Sequence, residues 1–151
     1  ALTGRDFLQY MLALRELPYV EQQALAMCAA LDLDPQALTR QARSYSKGMT
    51  QKLGLAACFL SQAELFVLDE PMSGLDPKAR ALLKRQLGQL KQAGKTVFFS
   101  SHVLADVEEI CDRMAILHDG KLAFIGTSGE CRTQFHGDTL EASYLACIDK
   151  S

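Results

Sequence analysis

The sequence predicts an α/β fold with parallel core strands, a helical subdomain ahead of them and a terminal hairpin after them. Three observations carry this expectation. The run Leu65-Phe66-Val67-Leu68-Asp69-Glu70-Pro71 sets four apolar residues before two carboxylates and a breaker. That is the pattern of a fully buried strand of a parallel sheet. A second such run, 96–100, follows after an amphipathic segment that begins at Pro77, so strand, helix and strand succeed one another as a crossover unit. Finally, two apolar stretches, 113–118 and 121–125, flank Asp119-Gly120, a type I′ hairpin signal.

Composition sets the outer limits. A chain of 151 residues suits one domain with a real core, and 48% hydrophobic with 23% charged residues is the profile of a globular protein. The formal net charge of -2 argues against broad attraction to nucleic acid or to an anionic membrane, so no nucleic acid partner is expected. No apolar run approaches the length of a bilayer span. The start at Ala1 carries neither an initiator Met nor a signal-peptide pattern, which predicts a chain processed or cut from something longer. The cysteines Cys28, Cys58, Cys111, Cys131 and Cys147 form no CxxC pair and no zinc-ligand spacing. Free thiols in a reduced cytosolic compartment are the simplest account.

Taken in order, the first third reads as helical. Thr3 with Asp6 is a capping-box signal, and Phe7, Leu8, Met11, Leu12 and Leu14 recur at helical spacing before Leu17-Pro18 breaks the helix. A second helix runs from about Tyr19 to Leu31. Asp34-Pro35 opens a short third one, with Asp34 as N-cap. After Ser44-Tyr45 comes a helix expected over 50–60. The helix from Pro77 carries Ala79, Leu82, Leu83, Leu87 and Leu90 on one face and closes at Ala93-Gly94. A short helix over 103–111, the hairpin and a helical tail from about Thr127 complete the chain. The expected segments are 1–45, helical; 46–126, the signature helix and α/β core portion; and 127–151, the tail.

Four places carry chemistry. Asp69 and Glu70 lie at the carboxyl end of their strand, where open α/β sheets bind ligands, and two carboxylates there can divide cation binding from the orienting of a water. Ser46-Lys47-Gly48 lies at a helix start, which attracts phosphate; Ser46 also reads simply as an N-cap. His102 follows the second strand and can reach the same edge of the sheet. Asp76 precedes Pro77 and reads as an N-cap at the least.

Together these motifs resemble the nucleotide-binding domain of ABC transporter ATPases. Tyr45-Ser46-Lys47-Gly48-Met49-Thr50-Gln51-Lys52 matches the signature motif, and 65–70 the Walker B strand with its following glutamate. Ser73-Gly74-Leu75-Asp76 matches the D-loop and His102 the switch histidine. The wording is most similar to the bacterial ABC-2 exporter branch. Tyr45, Lys47 and Met49 depart from the common Leu-Ser-Gly-Gly-Gln. No G-x-x-x-x-G-K-[ST] loop occurs in these residues. The resemblance therefore implies the C-terminal part of a P-loop NTPase domain, with the phosphate cradle expected N-terminal to Ala1.

By the same resemblance, the cofactors are ATP and Mg²⁺. Asp69 would hold Mg²⁺ through water, and Glu70 and His102 would be catalytic. Ser46, Lys47, Gly48, Met49 and Asp76 would border nucleotide across a head-to-tail dimer with a second nucleotide-binding domain. A transmembrane permease subunit would be the other partner, placing the protein on the cytoplasmic face of the cell membrane. Two alternatives stay open: an ABC-type ATPase acting on DNA or ribosomes, and a shortened, non-catalytic interaction module.

Overall fold

The computed structural model describes residues 2–150; Ala1 and Ser151, the outer ends of the first and last expected segments, lie outside the described residues. The chain divides into two compact units, Ala1–Ser100 and Ser101–Ser151.

The first unit is a helical cluster joined to a two-stranded sheet. Helix α1 (Gly4–Ala13) opens on the expected capping box: the Thr3 hydroxyl accepts from the Asp6 amide while the Asp6 carboxylate accepts from the Thr3 amide at 2.8 Å. Helix α2 (Glu21–Ala30) follows the break at Pro18. Two 3₁₀ turns, Pro35–Thr39 and Ala42–Ser44, lead into α3 (Lys47–Leu60). Asp34 caps the first of these turns by accepting from the Gln36 amide at 2.9 Å. Helix α3 starts one turn before the expected Thr50, because Ser46 provides an N-cap and Gly48 and Met49 then complete the first turn. Leu8, Cys28, Leu31, Leu38 and Ala56 are buried, and the Phe59 ring meets Phe66 edge to face at 5.9 Å between centroids.

Strands β1 (Leu65–Leu68) and β2 (Thr96–Phe99) pair in parallel, with Leu65 opposite Thr96 and Leu68 opposite Phe99. Helix α4 (Pro77–Gln92) is the crossover between them, its N-cap Asp76 accepting from the Ala79 amide. The expectation of fully buried strands is corrected. Leu65, Val67 and Phe98 are 56%, 68% and 64% exposed, while Phe66 and Leu68 are buried. Side chains alternate across a strand, and among the described residues of this unit only one face of the sheet is covered. A continuous apolar run cannot distinguish one covered face from two.

An ion cluster fixes this unit internally. Asp32, at the end of α2 with φ 56°, accepts from Lys78 Nζ at 2.7 Å and lies 3.4 Å from Lys52 Nζ, which also donates to the Asp32 carbonyl at 2.7 Å. One residue thus ties α2 to α3 and α4. The Lys78 ammonium, above all, holds the Asp32 carboxyl below its ordinary value of 3.8. Because the folded value is depressed, the contribution is complete above 3.8 and lost as pH falls through the lower folded value. Asp32→Asn tolerates the left-handed backbone but removes the charge. It is expected to cost about 1 kcal/mol at neutral pH in urea unfolding, with the deficit shrinking in acid. A deficit independent of pH would show that charge is not its cause.

The second unit holds α5 (Leu104–Ile110), the hairpin β3 (Met114–His118) and β4 (Lys121–Gly126), then α6 (Ser128–Phe135) and α7 (Leu140–Asp149). Asp119 and Gly120 have φ of 46° and 72°, as a type I′ turn requires. A bulge between Ile116 and Leu117 shifts the register. Ile116, Phe124, Cys131, Leu140 and Cys147 form this unit's core, with Phe124 and Phe135 edge to face at 6.0 Å. All five cysteines of the chain are free thiols. Burial pushes those of Cys28, Cys58, Cys111 and Cys131 above the usual range, which makes them poor nucleophiles. No described helix is long and apolar enough to cross a membrane.

Candidate functional site

Parallel pairing puts the carboxyl ends of β1 and β2 at one edge of the sheet, and the acid pair and Ser100 stand there together. The ladder runs one step past the strands, with the Ser100 amide donating to the Leu68 carbonyl at 3.0 Å. The next link is made by a side chain. The Ser100 hydroxyl accepts from the Glu70 amide at 2.8 Å and donates to Asp69 Oδ1 at 2.5 Å. A hydroxyl has one proton to give and lone pairs to receive, so both bonds coexist. Asp69 is exposed and Glu70 half-buried. Glu70 has φ 45°, a left-handed backbone that a residue with a Cβ adopts at a cost of about 1–2 kcal/mol. Such conformations persist where the surroundings enforce them and cluster at functional sites. Here the turn after Glu70 is closed by the Ser73 amide donating to the Glu70 carbonyl at 3.0 Å.

The start of α3 comes up to the same loop. Gln51 Nε2 donates to the Pro71 carbonyl at 3.0 Å. A Cβ placed on Gly48 would lie 3.2 Å from the Gly74 carbonyl oxygen, and one on Gly74, which has φ 75°, would lie 3.6 Å from the Lys47 stem. Glycine is thus needed twice, once for close approach and once for its backbone. Ser46 accepts from the Met49 amide at 3.2 Å. The cap reading holds, and the hydroxyl proton remains available to an anion. The amides of Lys47 and Gly48 have no acceptor within the helix, as at any helix start. Lys47 is exposed, its stem against Gly74; Met49 is half-buried. Tyr45, where the common motif has Leu, has its own local reason. Its hydroxyl donates to the Ala37 carbonyl and sits against Gly4, locking the signature segment to α1 and the first 3₁₀ turn.

The structure therefore brings Asp69, Glu70 and Ser100 together, and Lys47 and Gly48 together with Gly74. Asp76 is exposed beyond that loop, with its carboxylate engaged as the α4 cap. His102 belongs to the second unit. It is exposed, two residues after Ser100 in the chain and just before α5. Ser100 has no functional role in the sequence reading, and Gln51 enters it only as a member of the signature match. The parallel register was the signal for Ser100: it follows Phe99, the partner of Leu68, and so falls beside Asp69.

Among the described residues no group of three or more His, Cys, Asp or Glu side chains could cage a metal. What the edge offers is hard oxygen donors, two carboxylates and hydroxyls. That donor set fits Mg²⁺, which is held by one or two carboxylates with phosphate and water completing its shell.

Comparisons with known proteins agree with these motifs. A family model described as "AAA domain, putative AbiEii toxin, Type IV TA system" matches residues 22–104, more than half of the chain. An ABC transporter ATP-binding protein of Synechocystis sp. is 46% identical over 132 residues, covering 85% of this chain and 37% of that protein. The ABC-type transporter ATP-binding protein EcsA of Bacillus subtilis is 42% identical over 91 residues, covering 60% of this chain and 37% of that protein. A solved structure, "Structure of ATP binding subunit of ABC transporter", superposes with a TM-score of 0.89 at 31% identity, covering 97% of this chain and 62% of that one. The chain spans little more than a third of the length of these curated relatives.

Proposed function

The chain belongs to the ABC transporter ATP-binding proteins, and from that premise we propose that it is the signature and Walker B portion of an ATPase subunit that drives transport across a membrane. The observation that carries this reading is the sheet edge, where Asp69 and Glu70 project from a parallel strand and share one hydroxyl. The signature helix start meets the following loop in the same unit.

The roles follow from chemistry. Glu70 accepts a proton from the attacking water, or orients it, for displacement at the γ-phosphoryl group. Asp69 would hold Mg²⁺ through water, and the ion would supply neutralisation of phosphate charge. His102 donates a hydrogen bond to the γ-phosphate. Ser46 and the amides of Lys47 and Gly48 offer donors, at the positive end of α3, to a γ-phosphate bound by a second nucleotide-binding domain. Met49 fixes that turn, and Asp76 reaches the facing domain. Hydrolysis then waits for dimer closure. The helical segment 1–45 meets a transmembrane permease and turns closure into movement of substrate, segment 46–126 carries the chemistry, and 127–151 is an appended tail. The working place is the cytoplasmic face of the membrane, and the direction is export.

A side-by-side measurement tests this. The complete protein is expected to hydrolyse Mg-ATP at a rate per molecule that rises with protein concentration. The 151-residue chain, without a glycine-lysine phosphate loop, is expected to show neither turnover nor micromolar binding in calorimetry. Micromolar binding by the chain alone would overturn the division of labour. A complete protein without ATPase activity would overturn the reading itself.

A further inference from the structure

Resting on that ATPase reading, we infer that Ser100 is a positioning residue whose single hydroxyl holds the Asp69 carboxylate and the backbone of Glu70. The Ser100 proton goes to Asp69 Oδ1 at 2.5 Å, within the range of a charge-assisted O–H···O⁻ bond. The same oxygen receives the Glu70 amide at 2.8 Å. These bonds fix different things. The first engages one oxygen of the exposed Asp69 carboxylate, and the other oxygen would be the one to hold a water of the cation. The second pins the backbone of Glu70 in its left-handed conformation. Ser100 itself is held by its own amide, bonded to the Leu68 carbonyl at 3.0 Å. The hydroxyl therefore hangs from the rigid neighbouring strand. Outer partners of this kind orient a site's ligands without touching the substrate.

The test uses the complete ATP-binding protein with Ser100→Ala, Ser100→Thr and Glu70→Gln. Ser100→Ala is expected to lower kcat about tenfold or more, a loss in keeping with misplacement of a catalytic group. KM for Mg-ATP should change far less than kcat, because the phosphate-gripping loop is expected elsewhere and Ser100 touches only one of the groups that meet Mg-ATP. Deuterium uptake in the segment 65–72 should rise in the alanine variant, as the Glu70 amide loses its acceptor. Ser100→Thr restores both rate and protection, since it keeps the hydroxyl. Should the alanine variant fail to fold, Ser100→Cys, close in size but a weak hydrogen-bonding group, carries the same comparison. Normal kcat in Ser100→Ala beside a dead Glu70→Gln overturns this proposal and leaves the ATPase reading standing. Normal turnover in Glu70→Gln removes Glu70 from the chemistry and overturns this proposal, whereas a parent protein that hydrolyses no Mg-ATP overturns the ATPase reading. A loss in Ser100→Ala that threonine does not restore, or one without faster exchange at 65–72, also overturns the positioning role.

Discussion

Glu70→Gln in the complete protein is expected to cut ATP turnover by a factor of about 10²–10⁴, the range that a positioned general base contributes. The substitution is nearly isosteric and removes only the group that accepts a proton. Glutamine has the same backbone preferences as glutamate, so the left-handed turn at φ 45° and the amide bond to Ser100 survive it. Binding of Mg-ATP should therefore persist while the chemical step stops, and ATP-bound dimers should accumulate in size-exclusion chromatography. Loss of kcat with KM unchanged is the signature of an interaction made in the transition state. The strain at Glu70 sharpens the argument. A carboxylate placed for solubility alone would not need a backbone that costs about 1–2 kcal/mol. Wild-type turnover in Glu70→Gln would remove Glu70 from the chemistry.

Much of this was legible in the residues, and the reasons differ from place to place. Capping is local, so Thr3 with Asp6, Asp34 before Pro35 and Asp76 before Pro77 all sit where the sequence puts them. The hairpin turn was readable because Asp119-Gly120 names its own dihedral angles. Burial of the strands was not, since the pattern Leu-Phe-Val-Leu says nothing of how many layers cover it. At the site, Asp69 and Glu70 announce themselves by adjacency after an apolar run. Ser100 does not, because serine is common at strand ends and its meaning appears only when β2 is laid beside β1. Gln51 is likewise one polar residue of a helix until its amide meets the Pro71 carbonyl. Both depend on tertiary register, which no spacing within one segment encodes.

Gly137→Ala is expected to destabilise the second unit by about 1–3 kcal/mol or more, the range for forcing an extra carbon into packed structure. The left-handed residue that ends α6 is His136, at φ 55°, and not Gly137. Gly137 serves close approach: a Cβ there would lie 2.3 Å from Ser143 Oγ, 2.6 Å from the Ser143 amide nitrogen and 3.0 Å from its Cα. Two of those three atoms are backbone, so no rotamer change relieves the contact. Ser143 is fully buried, and its hydroxyl donates to the Thr139 carbonyl at 2.9 Å. To admit a methyl group, α7 must move as a body, and it carries Leu140 and Cys147 into the core of this unit. Hydrogen exchange should therefore quicken along residues 140–149, with the urea midpoint of this unit lowered. Gly88→Ala is the matching control, because nothing lies within 4 Å of a Cβ at that position and alanine favours the helix. If Gly137→Ala leaves stability within about 0.5 kcal/mol of the parent, the spread of ordinary surface changes, then Gly137 is not a contact glycine and α7 does not sit against it.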